Sequence, residues 1–122
     1  MITGSVSPDG SEATVSLEVT GTGGRSHTIE AVLDTGFNGY LTLPAEEVVS
    51  LGLPQRGFER YFLADGSERL GPLYRAVVLW HGRNLTFSVG EGDPLVGMAL
   101  LSGSRLTVDA EPGGEVRIDQ LP

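Results

Sequence analysis

Apolar residues recur at every second position from Ala13 to Val19, with Ala13, Val15, Leu17 and Val19 on one face and Thr14, Ser16 and Glu18 on the other. That period of two predicts a half-buried strand. Ile2 to Val6 reads as a shorter strand before it, set off by the turn residues Ser7-Pro8-Asp9-Gly10-Ser11. Gly21 to Gly24 closes a hairpin, and Ser26 to Leu33 returns as a strand whose apolar run stops at Asp34. Asp34-Thr35-Gly36 combines an acid, a hydroxyl and a residue without a side chain, a poor recipe for continuing a buried strand. Gly36 and Gly39 permit backbone conformations or close approaches that a side chain blocks, and Leu41 to Leu43 resumes the apolar pattern. The segment therefore reads as strand, tight loop, strand, and the loop presents Asp34.

Pro44 to Leu51 follows with proline at the first helical position, Glu46 and Glu47 in the first turn and Gly52 as a stop, which predicts a helix of about two turns. Leu53 to Gly57 reads as a loop. Phe58 to Leu63 and Glu68 to Trp80 read as the arms of a long hairpin with Asp65-Gly66 at its solvent-exposed tip. His81 to Asn84 predicts a turn, Leu85 to Val89 a strand and Gly90 to Pro94 a loop. Leu95-Val96 is a short apolar run stopping at Gly97, and Met98 to Ser102 suits one helical turn. Arg105 to Asp109 and Glu115 to Asp119 alternate cleanly as a terminal hairpin. The expected fold is all-β, with about nine strands and one or two short helices. Strand, glycine turn and helix at 32–51 recur in outline at 95–102, a hint of internal pseudo-symmetry.

Composition narrows the function classes. At 122 residues the chain is expected to form a single domain, 1–122. Its net charge is −8, with every positive charge an arginine and no lysine, which disfavours nucleic acid and anionic membrane surfaces as partners. There is no cysteine, so disulfides and thiol chemistry are excluded. No segment approaches the roughly 20 apolar residues of a membrane helix, and Met1 to Pro8 lacks a basic region followed by an apolar one, so a cytoplasmic location is the default expectation. His27 and His81 lie beside turn residues with no acid and nucleophile in a triad arrangement. No zinc spacing, calcium loop or phosphate-binding motif is present, so neither a metal nor a cofactor is expected.

That leaves Asp34. Its ordinary explanation is an Asx turn, the carboxylate accepting backbone N–H bonds where a strand ends. Against it stands the company the residue keeps: an apolar strand before it, a short strand and helix after it, a long hairpin with a glycine tip, then a second apolar run ending in glycine before a helix.

In that ordered set the chain resembles the retropepsin-like aspartic proteases, in particular their small single-domain prokaryotic branch. The matching residues are Val32-Leu33-Asp34-Thr35-Gly36, the hairpin tip Ala64-Asp65-Gly66 at the family's flap, and Leu95-Val96-Gly97-Met98-Ala99-Leu100-Leu101 at its second apolar-glycine segment. The resemblance implies a retropepsin-like β-barrel and an aspartic endopeptidase in which two Asp-Thr-Gly loops meet across a two-fold axis. One chain carries one such motif, so it implies a homodimer with Asp34 from each subunit sharing a proton and activating a water. It also implies that the Thr35 hydroxyl braces the two loops, that Gly36 lets them approach and that Gly97 supports the loop from beneath. Ala64, Asp65 and Gly66 then bind an extended peptide substrate through the backbone. Gly97 as an ordinary turn glycine stays open at this point, and so does the choice for Tyr61 and Phe62 between lining the cleft and packing within the hairpin.

Two departures stand out. Phe37 follows Gly36 where the viral motif has a small residue, which sets a ring close to the loop, and the terminal hairpin is longer than a dimer sheet of chain ends requires. Phe37 motivates an alternative, a non-catalytic dimeric peptide-binding or scaffolding module on the same fold. A third reading is a bare β-domain whose Asp34 only caps a turn.

Overall fold

A computed structural model of the chain describes residues 1–122. The elements in order are β1 (Ile2–Val6), β2 (Ala13–Thr20), a 3₁₀ turn (Thr22–Gly24), β3 (Ser26–Leu33), β4 (Leu41–Leu43), α1 (Ala45–Leu51) and β5 (Gln55–Phe62). They continue as β6 (Glu68–Trp80), β7 (Arg83–Glu91), β8 (Leu95–Val96), α2 (Met98–Leu101), β9 (Ser104–Val108) and β10 (Glu115–Gln120). The fold is all-β with two short helices, as the alternation predicts. No helix is long and apolar enough to cross a membrane.

All strands join one sheet in the order β5-β6-β7-β4-β8-β3-β2-β1-β10-β9. A further pairing of Val19 with Val78 and Thr20 with Val77 brings β2 onto β6, so the six strands from β6 round to β2 close into a barrel. Closure removes the sheet edges that β2 and β6 otherwise expose. Beyond the barrel, β5 extends β6 as a hairpin on one side, and β1, β10 and β9 continue the sheet on the other. The first and last strands are thus paired internally: β1 lies between β2 and β10, β10 lies between β1 and β9, and the sheet's edges are β5 and β9.

The core is the inner face of this barrel. Val15, Leu17 and Val19 are buried on β2, Ile29 and Ala31 on β3, Leu41 and Leu43 on β4, Val78 on β6, Val89 on β7 and Val96 on β8. Each comes from one face of its strand, the burial the period-two pattern requires. Helix α1 closes one end by burying Val48 and Leu51, three residues apart on one stripe, and His27 Nδ1 lies 2.7 Å from Glu47 Oε2, tying β3 to that helix. Gly52 ends α1 in the left-handed conformation, with φ of 62° and its N–H directed to the Val48 carbonyl.

Several boundaries differ from expectation, among them β7, which runs on to Glu91 where a loop is expected from Gly90. Pro44 caps α1 in an extended conformation instead of occupying its first turn. The segment 53–57, expected as a loop, contributes the start of β5: Gln55 pairs with Tyr74, and a bulge at Arg56 with Gly57 at φ of 141° takes up the extra residue. Strand β7 begins at Arg83, because His81 and Gly82 at φ of 50° and 74° form a two-residue turn whose twist matches the flanking strands. Polar Arg83 and Asn84 carry no apolar signal, yet they pair with Trp80 and Leu79.

Leu43, fully buried on β4, is expected to lose about 2–5 kcal/mol of stability on truncation to alanine. Val49→Ala, at a position 76% exposed on the same α1 segment, shifts stability by less than about 0.5 kcal/mol. Urea denaturation of the two variants checks the contrast.

Candidate active site

Strand β8 lies between β3 and β4 and is parallel to the first and antiparallel to the second. The loop 34–40 joins β3 to β4 and therefore arches over the end of β8, where Val96 gives way to Gly97. Four backbone bonds fasten the arch to what passes beneath it. Asp34 N–H donates to the Val96 carbonyl (2.9 Å) and Gly97 N–H to that of Tyr40 (3.1 Å). Met98 N–H donates to the Phe37 carbonyl (2.8 Å) and Ala99 N–H to that of Gly39 (3.1 Å). The last two donors are the first-turn amides of α2, which has no side-chain cap at Gly97. The loop carbonyls supply the acceptors that such amides need.

Gly97 is extended, with φ of −102°, so it is not a turn glycine selected for a left-handed conformation. Space selects it: a Cβ there meets the Gly39 carbonyl and stands 2.6 Å from Phe37 Cδ2. Gly39 is tied to the same ring, since a Cβ at that position reaches within 2.5 Å of Phe37 Cζ. The Phe37 ring accordingly lies against two glycines and is half-buried.

Asp34 is half-buried at the mouth of this arch. Its Oδ1 accepts the Gly36 N–H at 2.9 Å, and its carbonyl accepts the Phe37 N–H at 3.1 Å. The Asx turn expected of an ordinary strand-ending aspartate is therefore present. It occupies one carboxylate oxygen, and Oδ2 has no hydrogen-bond partner in the chain. Thr35 is exposed. Buried Ile29 and Ala31 face the barrel interior, so Asp34 shares the opposite face of β3 with Glu30 and Val32. A groove of about 910 Å³ opens on that outer face, lined by Val32, Pro94 and Leu95 and bordered by Glu12, Glu30 and Asp93. The Thr42 hydroxyl, bonded to the Asp93 carbonyl, fixes the loop at one edge of it.

The hairpin tip is built as expected but stands apart from the arch. Leu63 and Ser67 exchange the closing bond (Leu63 N–H to Ser67 O, 2.9 Å), Gly66 N–H returns to the Leu63 carbonyl (2.9 Å), and Gly66 has φ of 84°. Ala64 and Asp65 form the turn, and Asp65 Oδ1 accepts both the Ser67 N–H (2.8 Å) and hydroxyl (2.6 Å). These bonds hold the Asp65 carboxyl below its ordinary value of 3.8, the Ser67 hydroxyl contributing most. Residues 64–66 make hydrogen bonds only within the hairpin.

Register separates the two aromatic residues that sequence reading took together. The core face of β6 runs through Trp80, Val78, Ala76 and Tyr74 and continues outward as Pro72 and Leu70. Phe58 pairs with Pro72, Arg60 with Leu70 and Phe62 with Glu68, so Phe58 and Phe62 share that inner face of the overhanging hairpin. Phe58, Phe62 and Leu70 are 68%, 73% and 66% exposed there. Tyr61 lies on the outer face with Glu59, across from Arg69, its ring beside Gly71. Strand alternation alone carried this signal for consecutive residues. Nothing in the sequence singled out Glu59 or the Val32–Leu95 groove, because both depend on which strands become neighbours.

No group of three or more histidine and acidic side chains converges as metal ligands do. His81 Nε2 bonds the Ser104 hydroxyl at 2.8 Å, and burial lowers its pKa below the ordinary 6.5. It belongs to the β6–β7 turn. Comparison with protein-family models and with curated proteins gives no match for the chain.

Gly97→Ala is expected to cost about 1–3 kcal/mol in urea denaturation. Gly36→Ala costs less, because the nearest atom to a Cβ there is Asp34 Oδ1 at 3.3 Å. At the tip, Ser67→Ala should raise the Asp65 carboxyl pKa toward 3.8 in an NMR titration. The sign follows from linkage: a depressed acid holds the tip above its unfolded pKa and releases it as pH falls through the folded one.

Proposed function

We propose that the protein is a homodimeric aspartic endopeptidase of retropepsin-like fold, in which two Asp34 carboxylates, one from each subunit, activate a water to hydrolyse peptide bonds. The observation that carries this reading is the Asp34 carboxylate itself. It stands on a loop braced by four backbone bonds, with one oxygen held by Gly36 and the other without a hydrogen-bond partner in the chain. A carboxylate that only capped a turn needs no such bracing beneath it.

In the dimer two such carboxylates share one proton, because two adjacent charges are costly to maintain. The ionised member takes a proton from the water as its oxygen bonds to the scissile carbonyl carbon. The protonated member gives its proton to the carbonyl oxygen. Collapse of the tetrahedral intermediate then breaks the C–N bond, with a proton delivered to the leaving nitrogen and the shared proton restored. Thr35, exposed beside Asp34, braces the loops across the axis, and Gly36 allows their approach. The hairpin covers the substrate with the sheet face it shares with Asp34, the face of Glu59 and Tyr61, while Ala64 to Gly66 contact its backbone.

Phe37 no longer favours the non-catalytic alternative. Its ring rests on Gly39 and Gly97, which supports a loop adapted to the larger residue.

The test is hydrolysis of an unstructured protein and of a mixed peptide library. Specific activity is expected to rise with protein concentration as the dimer forms, and to decline at alkaline pH where the shared proton is lost. Asp34→Asn lowers kcat/KM by roughly 10²–10⁴-fold or more. Cleavage that survives in Asp34→Asn, or a monomer by sedimentation at concentrations where cleavage is full, overturns the proposal.

A further inference from the structure

A second cavity, of about 260 Å³, lies beside the arch on the outer face of the sheet. Its walls are Phe37 and Tyr40 from the loop that follows Asp34, Leu41 of β4, Leu73 of β6 and Ser88 of β7, with Glu59 reaching in from β5. Phe37 is three residues from Asp34, so by chain length that wall stands no more than about 11 Å from it. An extended peptide crossing Asp34 covers that span with about three residues.

Glu59 is the one charged side chain in this lining, and it makes neither an ion pair nor a hydrogen bond in the chain. Its direction is set by its neighbours. Glu59 pairs with Gly71 and Leu73 with Gly90, so the four share one sheet face. Gly90 leaves the room the carboxylate occupies, since a Cβ there stands 2.6 Å from Glu59 Oε1. Glu59 thereby lies over β7 beside the cavity.

Resting on the reading of the protein as a peptidase, we propose that this cavity is a specificity pocket that takes a basic substrate side chain, arginine or lysine, one to four residues from the cleaved bond, with Glu59 as its counter-charge. An apolar side chain seated there strips water from Glu59 and offers it no partner, which costs free energy. An acidic one is repelled. A basic side chain lays its aliphatic stem along Leu73, places its charge near the Tyr40 and Phe37 rings, and satisfies the carboxylate. The chain's net charge of −8 adds long-range attraction for such peptides.

Matched extended peptides carrying arginine, norleucine or glutamate at one position, scanned over four positions on each side of the bond, test the pocket. At one position the native protein is expected to favour arginine over norleucine by about tenfold or more in kcat/KM. Glu59→Gln should reduce that ratio to within about threefold, and Glu59→Arg should reverse it, so that the glutamate peptide becomes the better substrate. A reversal is a gain that misfolding does not produce. Equal rates on the three peptides at every position, or an arginine preference that persists in Glu59→Arg, overturns the inference while leaving the peptidase reading intact. If no peptide is cleaved, the peptidase reading fails, and fluorescence anisotropy with the same peptides decides the pocket: tighter arginine-peptide binding that reverses in Glu59→Arg supports it, and equal binding overturns it.

Discussion

The structure depends on one act of threading. Strand β8 passes between β3 and β4 beneath the loop that joins them, and two amides at the start of α2 find their acceptors in the Phe37 and Gly39 carbonyls of that loop. Helix amides without acceptors are costly when desolvated, and loop carbonyls without donors are equally so. Each satisfies the other, and the loop carrying Asp34 is tied to the barrel wall below it. Gly97 is the steric condition for this arrangement, because the arch descends to where its side chain would be.

From that crossing the functional surfaces follow by alternation. Asp34 emerges on the outer face of β3 beside Val32, since Ile29 and Ala31 are committed to the core. The core face of β6 runs past the end of the barrel into the hairpin, which leaves Phe58, Phe62 and Leu70 apolar but uncovered. The opposite hairpin face carries Glu59 down over Gly90 toward the loop. Glu59 and Asp34 thus lie on the same outer sheet face, while Phe58, Phe62 and Leu70 share the opposite face with the Arg60–Glu68 ion pair.

Much of this was legible along the chain. Period-two alternation located β2 to within one residue, the return from the hairpin to the apolar run before Asp34 located β3, and the glycines and acids of 44–52 located α1, because these signals come from each residue's own backbone preference and burial. The start of β5 and the first residues of β7 were not legible. Gln55, Arg56, Arg83 and Asn84 are polar and pair only because a partner strand is already present, and Arg56–Gly57 hides a bulge that no local pattern announces.

The sequence by itself determined which residues are apolar on one face, where the chain turns, that Asp34 ends a buried strand, and that the chain holds one copy of its motif. Those are local properties, carried by side-chain periodicity and turn chemistry. The tertiary structure decided the rest: that Gly97 is required by space and not by conformation, that Phe37 rests on two glycines, that Phe62 and Tyr61 face opposite ways, and that Glu59 lines one cavity with Phe37 and Tyr40. Each depends on strands distant in sequence becoming neighbours, and pairing register is a property of two strands that neither encodes alone.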